Sequence, residues 1–91
     1  QGKQQLAATA LSAFFSDERL KDNIVNIGSD NNVNFYKWSW NDKMPIKELI
    51  GKESSGVLAQ ELELLHPELV INDDSGYKKV NYKGLGAKLW Q

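Results

Sequence analysis

Ser16 and Lys21 lie five residues apart inside "FFSDERLKDNI", residues 14–24, where a serine stands between two phenylalanines and a dense run of charges. A hydroxyl and an amine this close are candidates for chemistry, and they also have an ordinary structural explanation. The local pattern favours Ser16 as a helix N-cap, with Asp17 and Glu18 in the first turn against the positive end of the helix dipole. Gln60 and Glu61 form a polar pair inside an otherwise apolar helical run, where the plain reading puts them on its solvated side. His66 directly precedes Pro67 at a helix end, a place where a cation favours the dipole, and no catalysis is assigned to it.

Other chemistries are excluded by the inventory. The chain has no cysteine, hence no disulfide framework and no thiolate metal site, and its one histidine cannot build a metal cluster with scattered carboxylates. No metal and no cofactor are expected. A formal net charge of -1 gives no electrostatic footprint for nucleic acid, and no apolar run approaches the length of a membrane span. Neither a nucleic acid nor a membrane is expected as a partner.

The elements that position these residues follow from patterning. Ninety-one residues with a 41% hydrophobic share make one small domain whose core only marginally offsets the cost of folding, so help from oligomerisation is expected. A start at "QGKQQ" without methionine reads as a piece of a longer protein. "QQLAATALSAFF", residues 4–15, carries no charge and places Leu6, Ala10 and Phe14 on one helical face, either a short amphipathic helix or the end of an upstream fibre or stalk. After the charged run, Ile24 and Ile27 lead into a Gly-Ser-Asp-Asn-Asn turn and then a strand. Alternation slips between Phe35 and Tyr36, which predicts a bulge or a strand buried on both faces. Tyr36, Trp38 and Trp40 are read as core rather than as a stacking platform.

"PIKELIGKESSG" reads as a loop with one helical turn, followed by a helix over about 58–65 that Pro67 closes. Leu69 to Ile71 form a short strand, Asp73 to Gly76 a turn, and "YKKVNY" alternates through Tyr77, Val80 and Tyr82. The expected fold is α+β: a small single domain of short strands packed with one or two helices, after an apolar leader.

Four blocks, "SDERLKDNI", "YKWSW", "GVLAQELELLHPELV" and "GYKKVNYKGL", spread over residues 16–85, resemble in order and spacing the carboxy-terminal intramolecular chaperone domains of phage tail fibres, tailspikes and endosialidases, the S74 peptidase family. The resemblance implies a domain that forms an intertwined homotrimer, aligns the upstream fibre of its own chain for folding and then cuts itself off. It divides the chain into a leader, 1–15, and a chaperone domain, 16–91. It implies synthesis in the host bacterial cytoplasm and a parent fibre in the virion tail. Ser16 and Lys21 match the family's catalytic pair, nucleophile and base, and the cut falls beside Ser16 among Phe15, Ser16 and Asp17.

That role requires a neutral lysine. Bringing an amine from about 10.4 to about 7 or 8 takes roughly 3 to 5 kcal/mol of desolvation or like-charge pressure. Burial in the assembled trimer is expected to supply it, with Arg19 or a neighbouring chain's cations as support; Gln60 and Glu61 are further supporting candidates. Five residues on a regular helix leave two side chains about 140° apart, so Ser16 must precede the first turn or meet Lys21 in an extended or intersubunit arrangement. Backbone N–H groups of the turn after Ser16 are candidate oxyanion donors. Family members run on from "YKGL" into a long apolar helix, whereas here "GAKLWQ" follows with Gly84 and Gly86 beside the junction, so the trimer clamp is expected to be missing or different. The alternatives are a trimerisation or fibre-tip module that never cuts, and the corresponding domain of a membrane-tethered transcription factor of the myelin-regulatory-factor type.

Overall fold

A computed structural model describes residues 13–89. Six strands and two short helices are arranged in two separate antiparallel sheets, the α+β class expected. The first sheet has the order β1-β6-β5, built from Ala13–Phe15 (β1), Lys78–Asn81 (β6) and Val70–Asn72 (β5). The second has the order β2-β3-β4, built from Lys21–Asp30 (β2), Val33–Trp40 (β3) and Glu53–Gly56 (β4). Helix α1, Ala59–Leu65, follows the second sheet and helix α2, Tyr82–Leu89, follows β6.

The hairpin of β2 and β3 turns at Asn31 and Asn32, both with positive φ, which a two-residue loop between right-twisted strands requires. The expected five-residue turn is thereby narrowed: Gly28, Ser29 and Asp30 are paired in β2. Opposite the slip at Phe35 and Tyr36, the partner strand skips a residue between Asn26 and Gly28. The bulge is therefore on β2, while β3 alternates without interruption and serves two cores. Val33 and Phe35 pack with Val57, Ala59, Leu62, Leu69, Val80 and Leu85. Tyr36, Trp38 and Trp40 pack from the other face with Phe15, Leu20 and Met44. The aromatics are core, as their half-buried strand requires.

Three expectations are corrected. Of the predicted leader helix, Ala13–Phe15 is a strand paired with β6, and the remaining positions, Leu6 and Ala10 among them, lie outside the described residues. Edge pairing and burial of Phe15 in the aromatic core override the helical spacing. No α-helix starts at Ser16: a single 3₁₀ turn, Glu18–Leu20, passes directly into β2, where Ile24, Val25 and Ile27 favour the extended form. The "ESSG" segment, read as loop, is β4, held by its register with β3.

Gly84 is no helix breaker here. A side chain at that position would meet Leu69 Cδ2 at 2.7 Å, so glycine lets α2 lie directly on the turn before β5. Asn81 caps the helix, its Oδ1 accepting from the Gly84 N–H at 3.0 Å.

Candidate functional site

The site forms where β1 ends and the chain crosses from the first sheet to the second. Ser16 is tied on both sides: its N–H donates to the Lys78 carbonyl of β6 at 3.1 Å, and its carbonyl accepts from the Ala59 N–H of α1 at 2.8 Å. Its side chain is fully buried and no helix cap. Asp17 takes that role instead, its Oδ1 accepting from the Arg19 N–H at 2.9 Å. The one-turn 3₁₀ segment reverses the chain so that Lys21, first residue of β2, points back at Ser16. The spacing problem is solved as one of the two expected options allows: the serine lies before the turn.

Lys21 Nζ donates to Ser16 Oγ at 3.0 Å, to the Ser16 carbonyl at 2.8 Å and to the Val57 carbonyl at 2.7 Å. It also lies 3.6 Å from the centroid of the Trp38 ring and 5.8 Å from that of Trp40. Only 5% of the residue is exposed. Burial pushes the amine down to about 7, against the pull of Asp17 and Glu18, whose charges favour the ammonium form. This desolvation is complete within one chain and needs no neighbouring subunit.

The Ser16 hydroxyl donates to the Val57 carbonyl and sits 2.9 Å from the Tyr82 hydroxyl. Tyr82 in turn receives the Val57 N–H at 3.4 Å. A side chain on Gly56 would lie 2.5 Å from the Tyr82 oxygen, so this approach depends on glycine. Patterning places Tyr82 at the end of an alternating strand, with no signal that it meets Ser16; the contact exists because α2 starts at that residue and turns it inward.

Arg19 does not press on Lys21. Its guanidinium grips Asp17 by two bonds, Nε to Oδ1 at 2.9 Å and Nη2 to Oδ2 at 2.7 Å, and donates to the Gly76 carbonyl at 2.9 Å. Burial opposes the Asp17 charge, but bonds from Arg19, from the Lys78 N–H and from Gln60 outweigh it and hold the carboxyl well below the usual range. The arginine thus offsets the anion nearest to Lys21 instead of adding like charge. Gln60 is a clamp, not a solvated bystander: its Nε2 donates to Asp17 at 2.7 Å and its Oε1 accepts from the Glu18 N–H at 2.9 Å. Glu61 faces the other way, accepting from the Tyr36 hydroxyl at 2.8 Å and from Asn34 at 3.2 Å. It lies outside the Ser16 cluster.

Three of the amides after Ser16, those of Glu18, Arg19 and Leu20, are already engaged and not free to receive an oxyanion. Glu18 N–H is bound to Gln60, Arg19 N–H to the Asp17 side chain and Leu20 N–H to the Asp17 carbonyl. Among the described residues no group of His, Asp and Glu side chains is placed to hold a metal ion, and no helix is long and apolar enough to cross a membrane.

Fold and site together define a small α+β domain with a buried serine–lysine pair at the junction of its two sheets. The chain belongs to the peptidase S74 family, described as chaperone of endosialidase, which matches residues 16–71. The match begins at Ser16 and ends at Ile71, short of the "GYKKVNYKGL" block. Comparison with curated proteins and with solved structures finds no match.

Proposed function

We propose that the chain is the carboxy-terminal intramolecular chaperone of a phage tail fibre or tailspike, which trimerises, guides folding of the upstream fibre and releases itself by a single autoproteolytic cut with Ser16 as nucleophile and Lys21 as base. The observation that carries this reading is the buried pair itself: Lys21 Nζ is 3.0 Å from Ser16 Oγ, and its amine is pushed down to about 7 by burial. Family membership supplies the chaperone role. The exposed Ile24, Val25 and Ile27 of β2, at the edge of its sheet, support self-association into a homotrimer. On this reading residues 1–15 belong to the released fibre and 16–91 to the chaperone, made in the bacterial host and separated from the virion tail.

The scissile bond is Phe15–Ser16. No peptide bond among the described residues is cis, so the Phe15 carbonyl points opposite to the Ser16 N–H, which faces β6. That carbonyl therefore faces the open side of β1, an edge strand. Attack on it by Ser16 Oγ closes a relaxed five-membered ring. Attack on Ser16's own carbonyl would close a strained β-lactone.

In the reaction the Ser16 hydroxyl turns from the Val57 carbonyl to the Lys21 amine and gives up its proton there. Oγ then bonds to the Phe15 carbonyl carbon, the C–N bond breaks, and the Ser16 nitrogen leaves as an amine after taking the proton from Lys21. Water hydrolyses the resulting ester, freeing the Phe15 carboxylate.

A non-cleaving trimerisation module is the alternative, favoured by one observation: the Ser16 hydroxyl rests on the Val57 carbonyl, not on Lys21. Mass spectrometry of the full-length protein separates the two. Fragments ending at Phe15 and starting at Ser16, absent from Ser16→Ala, support the peptidase; an intact chain supports the module.

A further inference from the structure

Tyr82 lies beyond the residues that match the family, yet its hydroxyl is one of three groups in contact with Ser16 Oγ. The direction of its hydrogen bond follows from its neighbours. Ser16 sends its own proton to the Val57 carbonyl, and the Val57 N–H points at the Tyr82 oxygen, occupying an acceptor site there. The phenol hydrogen is left to be donated to Ser16 Oγ, 2.9 Å away. Glycine at position 56 clears the space in which the phenol oxygen stands.

We propose that Tyr82 is a catalytic residue of this site: it donates a hydrogen bond to Ser16 Oγ and stabilises the negative charge that develops there as the serine proton passes to Lys21. The inference rests on the proposed peptidase reading. The proton leaves Oγ for Lys21 Nζ, the Tyr82 proton stays on its oxygen throughout, and the remaining Oγ lone pair forms the bond to the Phe15 carbonyl carbon. Lys21 and Tyr82 flank the nucleophile, one as acceptor and one as donor. Burial raises the Tyr82 phenol above its ordinary range, against the bonds from Ser16 and Val57, so it is still a donor as Lys21 loses its proton at about 7. The charged groups acting on Lys21 are Asp17 and Glu18, with Arg19 bound to Asp17.

The test is the rate of cutting in the full-length protein, compared with Tyr82→Phe and Ser16→Ala across pH. The expected result is an uncut Ser16→Ala, and a folded Tyr82→Phe that cuts about 10- to 1,000-fold more slowly with its pH midpoint unmoved, since Lys21 still sets it. Tyr82→Phe cutting at the parental rate beside an uncut Ser16→Ala overturns the Tyr82 proposal and leaves the peptidase reading standing. A parental protein that never cuts overturns both. If Tyr82→Phe fails to fold, a fluorinated tyrosine with a more acidic phenol is placed at position 82. It must add an alkaline fall in rate as the donor ionises, and a profile without that fall overturns the proposal.

Discussion

Lys21 Nζ lies 3.6 Å from the centroid of the Trp38 ring, and that ring takes the place of the water that would keep the amine charged. Trp38 is itself buried in the aromatic core, so the low-dielectric wall is as rigid as the core. Two opposing effects meet at one nitrogen: burial favours the free amine, and Asp17 with Glu18 favours the ammonium.

The cutting rate is expected to follow the free-amine fraction. It should rise about tenfold per pH unit at acidic pH and level off above about 7. Asp17→Asn removes an anion that favours the charged form, so in chains that fold the midpoint moves to lower pH. Single-turnover rates from pH 5 to 10 check both. A midpoint near that of a free lysine contradicts the desolvated site.

The same shift appears in stability. Folding lowers the Lys21 value to about 7, so the unfolded chain holds more protons between that pH and about 10.4, and this group's contribution to stability rises with pH through the window. Below the window its cost is fully present. Lys21→Met should flatten that part of the curve, as measured by denaturant unfolding at several pH values, and equal slopes for the two proteins contradict it.

Arginine at position 21 keeps the charge and loses the chemistry. Lys21→Arg should cut no faster than Lys21→Ala, because a guanidinium stays protonated at any working pH. An ion-pair role would be rescued by arginine. Endpoint mass analysis of the two variants decides, with cutting by Lys21→Arg at the parental rate removing Lys21 from the mechanism.

Release should lag behind the cut that permits it. Phe15 is buried against Leu20, Trp38, Trp40 and Met44, and its strand is in register with β6 from Ala13↔Asn81 to Phe15↔Lys79. The cut ends are expected to migrate together in native gels and to part on denaturation. Phe15→Ala should loosen the strand by about 3 kcal/mol and speed its loss on the order of 100-fold. Immediate separation of the parental fragments contradicts this.

Much of this was legible in the sequence where local pattern and tertiary structure agree. Helix α1 runs over Ala59–Leu65, against about 58–65 expected, because its apolar spacing and the stop at Pro67 act locally. The slip between Phe35 and Tyr36 marked the change of core served by β3. Strand β4 was not legible: Glu53, Ser54 and Ser55 have little strand preference and are extended because β3 offers an unpaired edge. The same holds for β1, whose apolar spacing is helical and whose partner lies some 65 residues away. Arg19 was legible as a charge near Lys21, but which charge it meets is set by Asp17 folding inward with it. Tyr82 depends on where α2 begins, which Asn81 decides by capping.

The central claim is tested most directly by the mass of the polypeptides that the purified full-length protein becomes on incubation at pH 8, beside Ser16→Ala. The account predicts one cut, between Phe15 and Ser16, complete in the parent and absent from a Ser16→Ala variant that still folds and assembles. The same cut in Ser16→Ala, or an intact parent in its assembled state, would contradict it.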